Sequence, residues 1–399
     1  MSLPHVQLDT DDLAPGPWIY ARQVVSPSPE LAGGSLVEVR DRSQRFVGHG
    51  LYNPASDIRV RFLSRGRRAD MARPREFLLK RLRSADRIRR KLLKLPDVTD
   101  AYRIAHAEGD DLSGLVVDKL GDVIVCEHHA LGFWRMREDI GWALQQLYPH
   151  TTVVHRVPKS ARKFEDFPER ELEVEGDAPQ PATPGSGERW IREHGVDFLV
   201  APGRDHKTGW FCDQRENRLK VAQLTQGRSV LDLCCNAGGF SLQAARAGAV
   251  RVNAVDLDEK VLARARASAQ RAGAEVVFHH ADAFHYLREL KAGSSRAQVV
   301  VADPHKFVGS KARLREGLKS YLDLNGLALE VVAPGGILAT FSCSGALDLP
   351  GFLGVLFQAA RRARRGVRLL EVLGAGPDHP QRPEFAKSRY LKGALFAVD

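Results

Sequence analysis

The 399-residue sequence has few cysteines, no long apolar run and no basic-then-apolar leader pattern. The cysteines are odd in number and contain no CxxC pair; they are Cys126, Cys212, Cys234, Cys235 and Cys343. This pattern argues against a disulfide framework or a structural metal site and favours a reducing compartment. No segment approaches the roughly 18 consecutive apolar residues of a membrane span. We therefore expect a cytoplasmic protein that is neither exported by a signal peptide nor embedded in a membrane.

Basic residues are in excess, and the excess is unevenly placed. The chain has 59 Lys and Arg against 49 Asp and Glu, a formal charge of +10. Residues 61–95 alone contain 14 Lys and Arg against three acidic residues. Such a charge favours a polyanionic partner, although basic soluble enzymes are common. Two interpretations of this stretch stay open: a solvated amphipathic helix, or a surface that contacts phosphates.

The pattern along the chain predicts three regions. Residues 1–70 alternate short apolar runs, at 18–20, 36–39, 46–48 and 58–62, with turn residues, which predicts a small β domain. Residues 71–194 begin with a helix over 74–95 and continue as an α+β region with one helix near 133–147. The Pro- and Gly-rich stretch 176–188 predicts a loop or linker. From residue 195 to 399, strands and helices alternate, which predicts an α/β doubly wound parallel sheet.

Apolar residues recur in the 74–95 stretch at steps of three and four, which is typical of one buried helix face. These residues are Leu78, Leu82, Ala85, Ile88 and Leu92. The Lys and Arg residues are expected on the other faces.

Two short apolar runs end abruptly at polar residues. They are residues 299–307 (VVVADPHKF) and 336–345 (GILATFSCSG). Such runs are typical of buried parallel strands, and ligands bind beyond the carboxyl ends of these strands. If the strands are neighbours, the Asp303 carboxylate and the Cys343 thiol face one pocket.

Residues 229–241 (SVLDLCCNAGGFS) predict a strand, a glycine turn and a helix start. The turn lacks the GxGxxG and GxxxxGK[ST] patterns, which removes the support for a dinucleotide site and excludes a P-loop. Two later strands end at Asp256 and Asp282. The first carboxylate suits two ribose hydroxyls, and the second could accept from an adenine amine.

This order of motifs resembles class I S-adenosylmethionine-dependent methyltransferases. The resemblance implies a Rossmann-like sheet with S-adenosylmethionine as the cofactor. The residues expected to contact it are Asp232, Asn236, Gly238, Asp256, Asp282 and Gln214. The cofactor carries no phosphates, which fits a glycine turn without a lysine.

Residues 207–218 (KTGWFCDQRENR) are similar to the TGFFLDQRENR signature of the large-subunit ribosomal RNA cytosine-5 methyltransferase family. The likeness extends over most of the chain, including residues 101–122 and 376–392. It implies an N-terminal PUA RNA-binding domain over 1–70, with ribosomal RNA as the partner; a homodimer is left open. Asp213 and Arg215 become candidates to line the target pocket, and Arg218 is a candidate for a structural ion pair.

The chemistry of cytosine methylation explains the thiol. Carbon 5 of cytosine is a poor nucleophile, and a thiolate added at carbon 6 activates it. Cys343 is the predicted nucleophile, and Lys306 or His305 could favour its ionised form. Asp303 could accept from the cytosine amine or take part in proton transfer, and both roles stay open. Phe307 and His305 complete the predicted substrate contacts.

One residue departs from the family pattern, which has Asp-Pro-Pro-Lys-Phe where this chain has His305 in place of the second proline. Histidine is either tolerated there or changes base specificity or activity, because it removes a stiff residue and adds a titratable group. Two alternatives to a cytosine-5 enzyme follow. One is an RNA-binding assembly factor that lost turnover. The other is an exocyclic-amine methyltransferase in which Asp303 acts and Cys343 is structural.

Overall fold

The structure is a computed structural model that describes residues 3–25, 31–66, 71–168, 187–309 and 311–399. The chain divides into two compact units. The first comprises Met1–Arg189, Ala201–Trp210 and Pro377–Ser388; the second comprises Trp190–Val200, Phe211–Gly376 and Arg389–Asp399. Of the predicted loop 176–188, residues 176–186 lie outside the described part. No helix within the described residues is long and apolar enough to cross a bilayer.

A 5-stranded sheet opens the first unit, with the order β1-β3-β4-β5-β2. Its strands are β1 (His5–Gln7), β2 (Trp18–Tyr20), β3 (Ser35–Arg40), β4 (Phe46–Tyr52) and β5 (Ile58–Arg65). All predicted strands of this region are confirmed. An isolated antiparallel bridge between Leu8 and Val24 links the chain just beyond the two edge strands. The inward residues form a closed apolar core that includes Ile19, Val37 and Val60.

A second, 4-stranded sheet has the order β6-β7-β8-β9. Its strands are β6 (Ala101–His106), β7 (Leu115–Leu120), β8 (Val123–His128) and β9 (Thr152–Arg156). The associated helices are α1 (Pro74–Arg87), α2 (Leu131–Arg135), α3 (Arg137–Leu147) and α4 (Lys159–Glu165). The single helix predicted near 133–147 is in fact two helices, because Met136 leaves the helical region at ψ 13°.

The amphipathic stretch after Pro74 departs from its predicted pattern at its end. Leu78, Leu82 and Ala85 are buried as predicted. However, the helix changes to a π turn over Ile88–Leu92. A π turn holds more residues than an α turn, so it rotates the residues that follow away from the earlier apolar stripe. The prediction for Leu92 was therefore wrong: its side chain is 75% exposed.

Arg89, which the same pattern assigned to a solvated face, is fully buried. Its guanidinium donates two hydrogen bonds of 2.7 Å to the carboxylate of Asp110. It also donates to the backbone carbonyls of Arg103 at 2.9 Å and Asp378 at 2.6 Å. One side chain thus ties the π turn after α1 to β6 and to the 377–388 segment of the first unit.

The second unit contains a 7-stranded sheet in the order β14-β13-β12-β15-β16-β18-β17. The strands are β12 (Ser229–Leu233), β13 (Arg251–Asp256), β14 (Val277–His280), β15 (Ala297–Ala302), β16 (Val332–Ser342), β17 (Val367–Gly374) and β18 (Lys392–Val398). A separate hairpin pairs β10 (Arg189–Glu193) with β11 (Val196–Val200). The first five strands in this order run parallel, and β18 is antiparallel to both β16 and β17.

Helices cover both faces of the large sheet. They are α5 (Arg215–Ala222), α6 (Gly239–Arg246), α7 (Glu259–Ala272), α8 (Ala283–Ala292), α9 (Leu314–Val331) and α10 (Leu349–Ala363). Alternate residues of β15 point to opposite cores: Val300 and Ala302 pack with α9 and α10, and Val299 and Val301 pack with α5 and α6. A parallel strand buried on both faces is continuously apolar. The predicted doubly wound α/β fold is confirmed.

We expect the Arg89→Met substitution to lower the free energy of unfolding by about 3–5 kcal/mol, because it leaves a buried, uncompensated Asp110 carboxylate. Urea denaturation followed by circular dichroism measures this change. The matched control is Arg75→Met, which breaks an ion pair to Asp139 whose side chains are 48% and 30% exposed, and which should change stability by about 1 kcal/mol or less. Equal effects of the two substitutions would contradict a structural role for Arg89.

Candidate active site

Three loops meet at the carboxyl edge of the large sheet. β15 pairs in parallel with β12 on one side and with β16 on the other, with Ala302 opposite both Leu233 and Thr340. The strands that precede Asp303 and Cys343 are therefore neighbours, which is the condition under which the two side chains were expected to face one pocket. This register brings together the glycine turn after β12, the 303–308 loop after β15 and the 343–345 loop after β16.

The turn after β12 holds an unusual backbone. Cys234, Asn236 and Gly238 have φ values of 60°, 50° and 78°. This left-handed region is natural for glycine but sparsely populated by other residues, and such residues concentrate at functional sites. The Asn236 N–H donates to Asp256 Oδ2 at 2.8 Å, which fixes the turn to the end of β13. Helix α6 begins immediately after Gly238.

Asp232 lies fully buried in β12, beneath this turn. Its Oδ2 accepts from the Ser241 N–H at 3.1 Å and from the Ser241 hydroxyl at 2.5 Å. Its Oδ1 is buried without a hydrogen-bond partner among the described residues. Burial above all, together with the nearby Asp303 and Asp256 carboxylates, raises the pKa of Asp232 to about 7. Three carboxylates thus lie near one another, and a cation bound beside them would stabilise their ionised forms.

Two other predicted cofactor residues, Asp282 and Gln214, lie outside the glycine turn. Asp282 is exposed and caps helix α8, where its Oδ1 accepts from the His285 N–H at 2.9 Å. Gln214 is 2% exposed and donates from Nε2 to Asp303 Oδ2 at 2.8 Å. In turn, Gln214 Oε1 accepts from Asn217 Nδ2 at 2.6 Å. This amide relay orients the Asp303 carboxylate.

The residues around Gln214 in the 207–218 signature are mostly buried and bonded to other protein groups. Asp213 is 1% exposed, and its Oδ2 accepts from the Tyr390 hydroxyl at 2.6 Å. Arg215 is fully buried, and its Nε donates to Glu216. Arg218 forms the structural ion pair that was expected of it, donating twice to the Glu193 carboxylate at 2.7 Å. These side chains fasten the segment to the second unit.

The 303–308 loop presents its central residues to solvent. His305 and Lys306 are exposed, whereas Asp303 and Phe307 are half-buried. The Phe307 ring makes edge-to-face contacts with the rings of His305 at 5.0 Å and Tyr321 at 4.8 Å. The loop is therefore anchored at its two ends and open between them.

The half-buried Cys343 sits between two serines whose hydroxyls hold the backbone. The Ser342 hydroxyl donates to the Tyr321 hydroxyl at 2.8 Å, and the Tyr321 hydroxyl lies 3.0 Å from Ser344 Oγ. Ser344 Oγ also accepts from the Val308 N–H at 3.1 Å, which joins the two loops. Lys392 Nζ donates to the Ser344 carbonyl at 2.8 Å.

Sequence reasoning missed three residues of this arrangement: Asn217, Tyr321 and Lys392. Lys392 offered a signal, since it is a lone charged residue at the start of an otherwise apolar strand. Tyr321 offered none, because a tyrosine within an amphipathic helix has the same pattern as any core residue.

Two family models match the chain. One, described as a PUA-like domain, covers residues 15–65. The other, described as an S-adenosylmethionine-dependent methyltransferase, covers residues 183–396. The chain is 35% identical to the protein named ribosomal RNA large subunit methyltransferase I of Pseudoalteromonas atlantica, over 96% of this chain and 95% of that one. It is 34% identical to the protein of that name from Aeromonas salmonicida, over 95% and 94%.

Among solved structures, the fold is similar to that of SMU.776 in complex with SAH. The TM-score is 0.80 at 18% identity, over 100% of both chains. At that identity the likeness concerns the fold.

The residues at the sheet edge fit S-adenosylmethionine. This cofactor carries a sulfonium and an ammonium group, and the buried Asp232 has a carboxylate oxygen without a hydrogen-bond partner among the described residues. Asp256 and Asp303 add negative charge beside it. The left-handed Gly238 leaves the start of α6 without a side chain where a ligand would approach.

We expect the affinity for S-adenosylmethionine to rise with pH by up to roughly tenfold per unit below pH 7, and then to level off. The reason is that Asp232, with its pKa raised to about 7, is neutral at lower pH and attracts a cation only when ionised. Isothermal titration calorimetry between pH 5.5 and 8.5 measures the profile. Asp232→Asn should flatten this profile. An equally steep profile in that variant would show that the titration of another group controls the affinity.

Proposed function

Since the chain belongs to the S-adenosylmethionine-dependent methyltransferases, in the family of ribosomal RNA large subunit methyltransferase I, we propose that it forms 5-methylcytosine in large-subunit ribosomal RNA. The substrate follows from the names of its relatives. The choice of carbon 5 rests on one observation, the half-buried Cys343 thiol at the end of the strand next to Asp303. Its location in the cytoplasm stays a prediction, and a homodimer is left open.

The proposed reaction begins with a cytosine that is unpaired or flipped, at a cost of a few kcal/mol. The Cys343 thiolate adds to carbon 6 and pushes electron density onto carbon 5. Bound S-adenosylmethionine would supply the electrophilic methyl group for carbon 5, and its sulfur would depart as a neutral thioether, S-adenosylhomocysteine. A base then removes the proton from carbon 5, and the Cys343 sulfur leaves carbon 6 as a thiolate.

Asp303 is proposed to orient the base by accepting a hydrogen bond from the exocyclic amine of cytosine. The donation from Gln214 Nε2 supports this role, since a hydrogen bond to a carboxylate favours its ionised, accepting form. Asn217 holds Gln214 in turn. The amide relay would therefore act on base orientation and not on the thiol.

The exposed His305 supports a second candidate, an RNA-binding assembly factor without turnover. The residue replaces a proline of the family pattern, so the loop loses a restraint on its backbone. Its ring is packed edge-to-face on Phe307, which restores part of that restraint. For this reason we favour the active enzyme.

In the basic helical stretch from Pro74 to Leu92, the arrangement of charges favours RNA contact through one face. Several of its arginines are already engaged by acids; these are Arg75, Arg81, Arg89 and Arg90. Four exposed cations have no acidic partner among the described residues: Lys80, Arg83, Arg87 and Lys91. The spacing of three and four residues aligns Lys80, Arg83 and Arg87 along one side of α1, and Lys91 follows in the π turn. We propose that this cationic stripe contacts RNA phosphates.

Replacing the cationic stripe by glutamine should flatten the log–log salt dependence of RNA affinity by about 0.7 for each phosphate that the protein no longer neutralises. Fluorescence anisotropy with a labelled single-stranded ribosomal RNA fragment, at several salt concentrations, gives the slope. The matched control replaces the acid-paired Arg75 and Arg90 by glutamine and should leave the slope nearly unchanged. If both sets behave alike, the stripe is a solvated face.

Cys343→Ala should abolish methyl transfer and leave S-adenosylmethionine affinity within a few-fold of the native value, because the variant removes the nucleophile alone. Radiolabelled S-adenosylmethionine with hypomethylated ribosomal RNA measures transfer, and mapping of methylated nucleotides gives the base and the atom. The control is Cys126→Ala, which alters a fully buried cysteine within β8 of the first unit.

Two other outcomes of that assay have definite meanings. Undiminished product from Cys343→Ala would remove the thiol mechanism and favour methylation of an exocyclic amine. No product from the native protein, with RNA binding intact, would favour the assembly factor; His305→Pro should then restore transfer if the loop is the cause.

A further inference from the structure

We propose that Lys392 is a positioning residue that stabilises the thiolate of Cys343 and fixes the loop that carries it. This inference rests on the proposed function, in which Cys343 is the nucleophile. The sequence suggested Lys306 or His305 for this task, yet both are exposed. Water screens the charge of an exposed group, so a buried cation has the stronger influence on a neighbouring thiol.

The antiparallel pairing of β18 with β16 places Lys392 beside the thiol loop. Lys392 lies directly opposite Ser342, the residue before Cys343. Its side chain is 5% exposed. The ammonium donates to the Ser344 carbonyl at 2.8 Å and to the Tyr390 carbonyl at 2.7 Å. It therefore holds the backbone immediately after Cys343.

The serine hydroxyls beside the thiol are already committed to the scaffold. Ser342 Oγ donates to the Tyr321 hydroxyl. Ser344 Oγ accepts from the Val308 N–H and lies 3.0 Å from the same tyrosine hydroxyl. These bonds order the loop but supply no positive charge. Lys392 combines burial, charge and contact with the loop.

The charged and titratable groups around this lysine come from several elements. Cys343 follows β16, Asp348 caps α10, and Lys306 lies in the 303–308 loop. Burial lowers the pKa of Lys392 to about 8, while Cys343 and Asp348 act to raise it. The Tyr321 hydroxyl faces the loop from α9, and burial raises its pKa. At pH 7 the lysine is therefore mainly charged and the tyrosine neutral.

A second half-buried cysteine at the same sheet edge provides an internal comparison. Burial raises the pKa of the Cys234 thiol, and Asp256 and Asp303 raise it further. The two cysteines thus lie at the same edge of the sheet in different electrostatic surroundings. Carboxylates lie near Cys234, whereas the Lys392 ammonium contacts the loop of Cys343. Their reactivity at neutral pH should differ accordingly.

The test is alkylation by iodoacetamide between pH 6 and 10, with the peptides containing Cys343 and Cys234 quantified separately by mass spectrometry. In the native protein the Cys343 rate should have its midpoint below the ordinary thiol value of about 8.5, and Cys234 should react much more slowly at pH 7. Lys392→Met should move the Cys343 midpoint upward by about one unit, so that its rate at pH 7 falls about tenfold. Lys392→Arg, which keeps the charge, should preserve the midpoint.

A purely structural role would change the rate at every pH without moving the midpoint. A Lys392→Met profile with the native midpoint, whether or not its rates are lower, therefore overturns the proposal. If that variant does not fold, as judged by its urea midpoint and its affinity for S-adenosylmethionine, the native profile decides: a Cys343 midpoint at or above 8.5 refutes the inference.

The control Lys306→Met removes the exposed lysine and should shift the midpoint less than Lys392→Met does; a larger shift would transfer the role to Lys306. Failure of this inference is separable from failure of the proposed function. An inactive Cys343→Ala variant combined with an unchanged Lys392→Met midpoint rejects only the lysine. An active Cys343→Ala variant rejects the thiol mechanism, whatever the alkylation profile shows.

Discussion

The parallel pairing of β15 with both β12 and β16 is the constraint on which the site depends. With Ala302 opposite Leu233 on one side and Thr340 on the other, three loops leave the sheet at the same level. A slip of one residue in either ladder would turn the inward residues of a strand to the opposite core. Val299, Val300, Val301 and Ala302 are all fully buried. A slip in one direction would therefore bring the Asp303 carboxylate into the sheet interior, at a high cost. The apolar interior of the sheet thereby sets the spacing of polar groups at its edge.

Charge at that edge is divided between its two sides. Asp232, Asp256 and Asp303 lie close enough that the latter two raise the pKa of the first. Beside the thiol loop, the ammonium of Lys392 contributes a buried positive charge. Under the proposed function, the carboxylates would stabilise the cationic cofactor and the ammonium would stabilise an anionic nucleophile. The proposed reaction needs both effects at one edge of the sheet, where Asp303 and Cys343 are half-buried.

The sequence predicted the fold correctly wherever apolar runs were bounded by turn residues. The strands that carry Asp232, Asp256, Asp303 and Cys343 were all predicted. The misplaced features have physical causes that no local pattern contains. The π turn at Ile88–Leu92 exposes Leu92 and buries Arg89, because Arg89 finds Asp110 and the Asp378 carbonyl. Those partners lie 21 and 289 residues away, so periodicity could not reveal them.

The same limit applies within the site. The thiol was visible because a cysteine ended an apolar strand, and Gln214 because it lay in a specific signature. Lys392 becomes relevant only through the register of β18 against β16, with Ser342 opposite it. A lysine at the start of an apolar strand is costly to bury unless its donors are satisfied. Here two backbone carbonyls accept from it, which offsets that cost and leaves its charge beside Cys343. Replacing it with a neutral side chain would leave the Ser344 and Tyr390 carbonyls without this donor as well as removing the charge, which is why the arginine variant is needed to separate the two contributions.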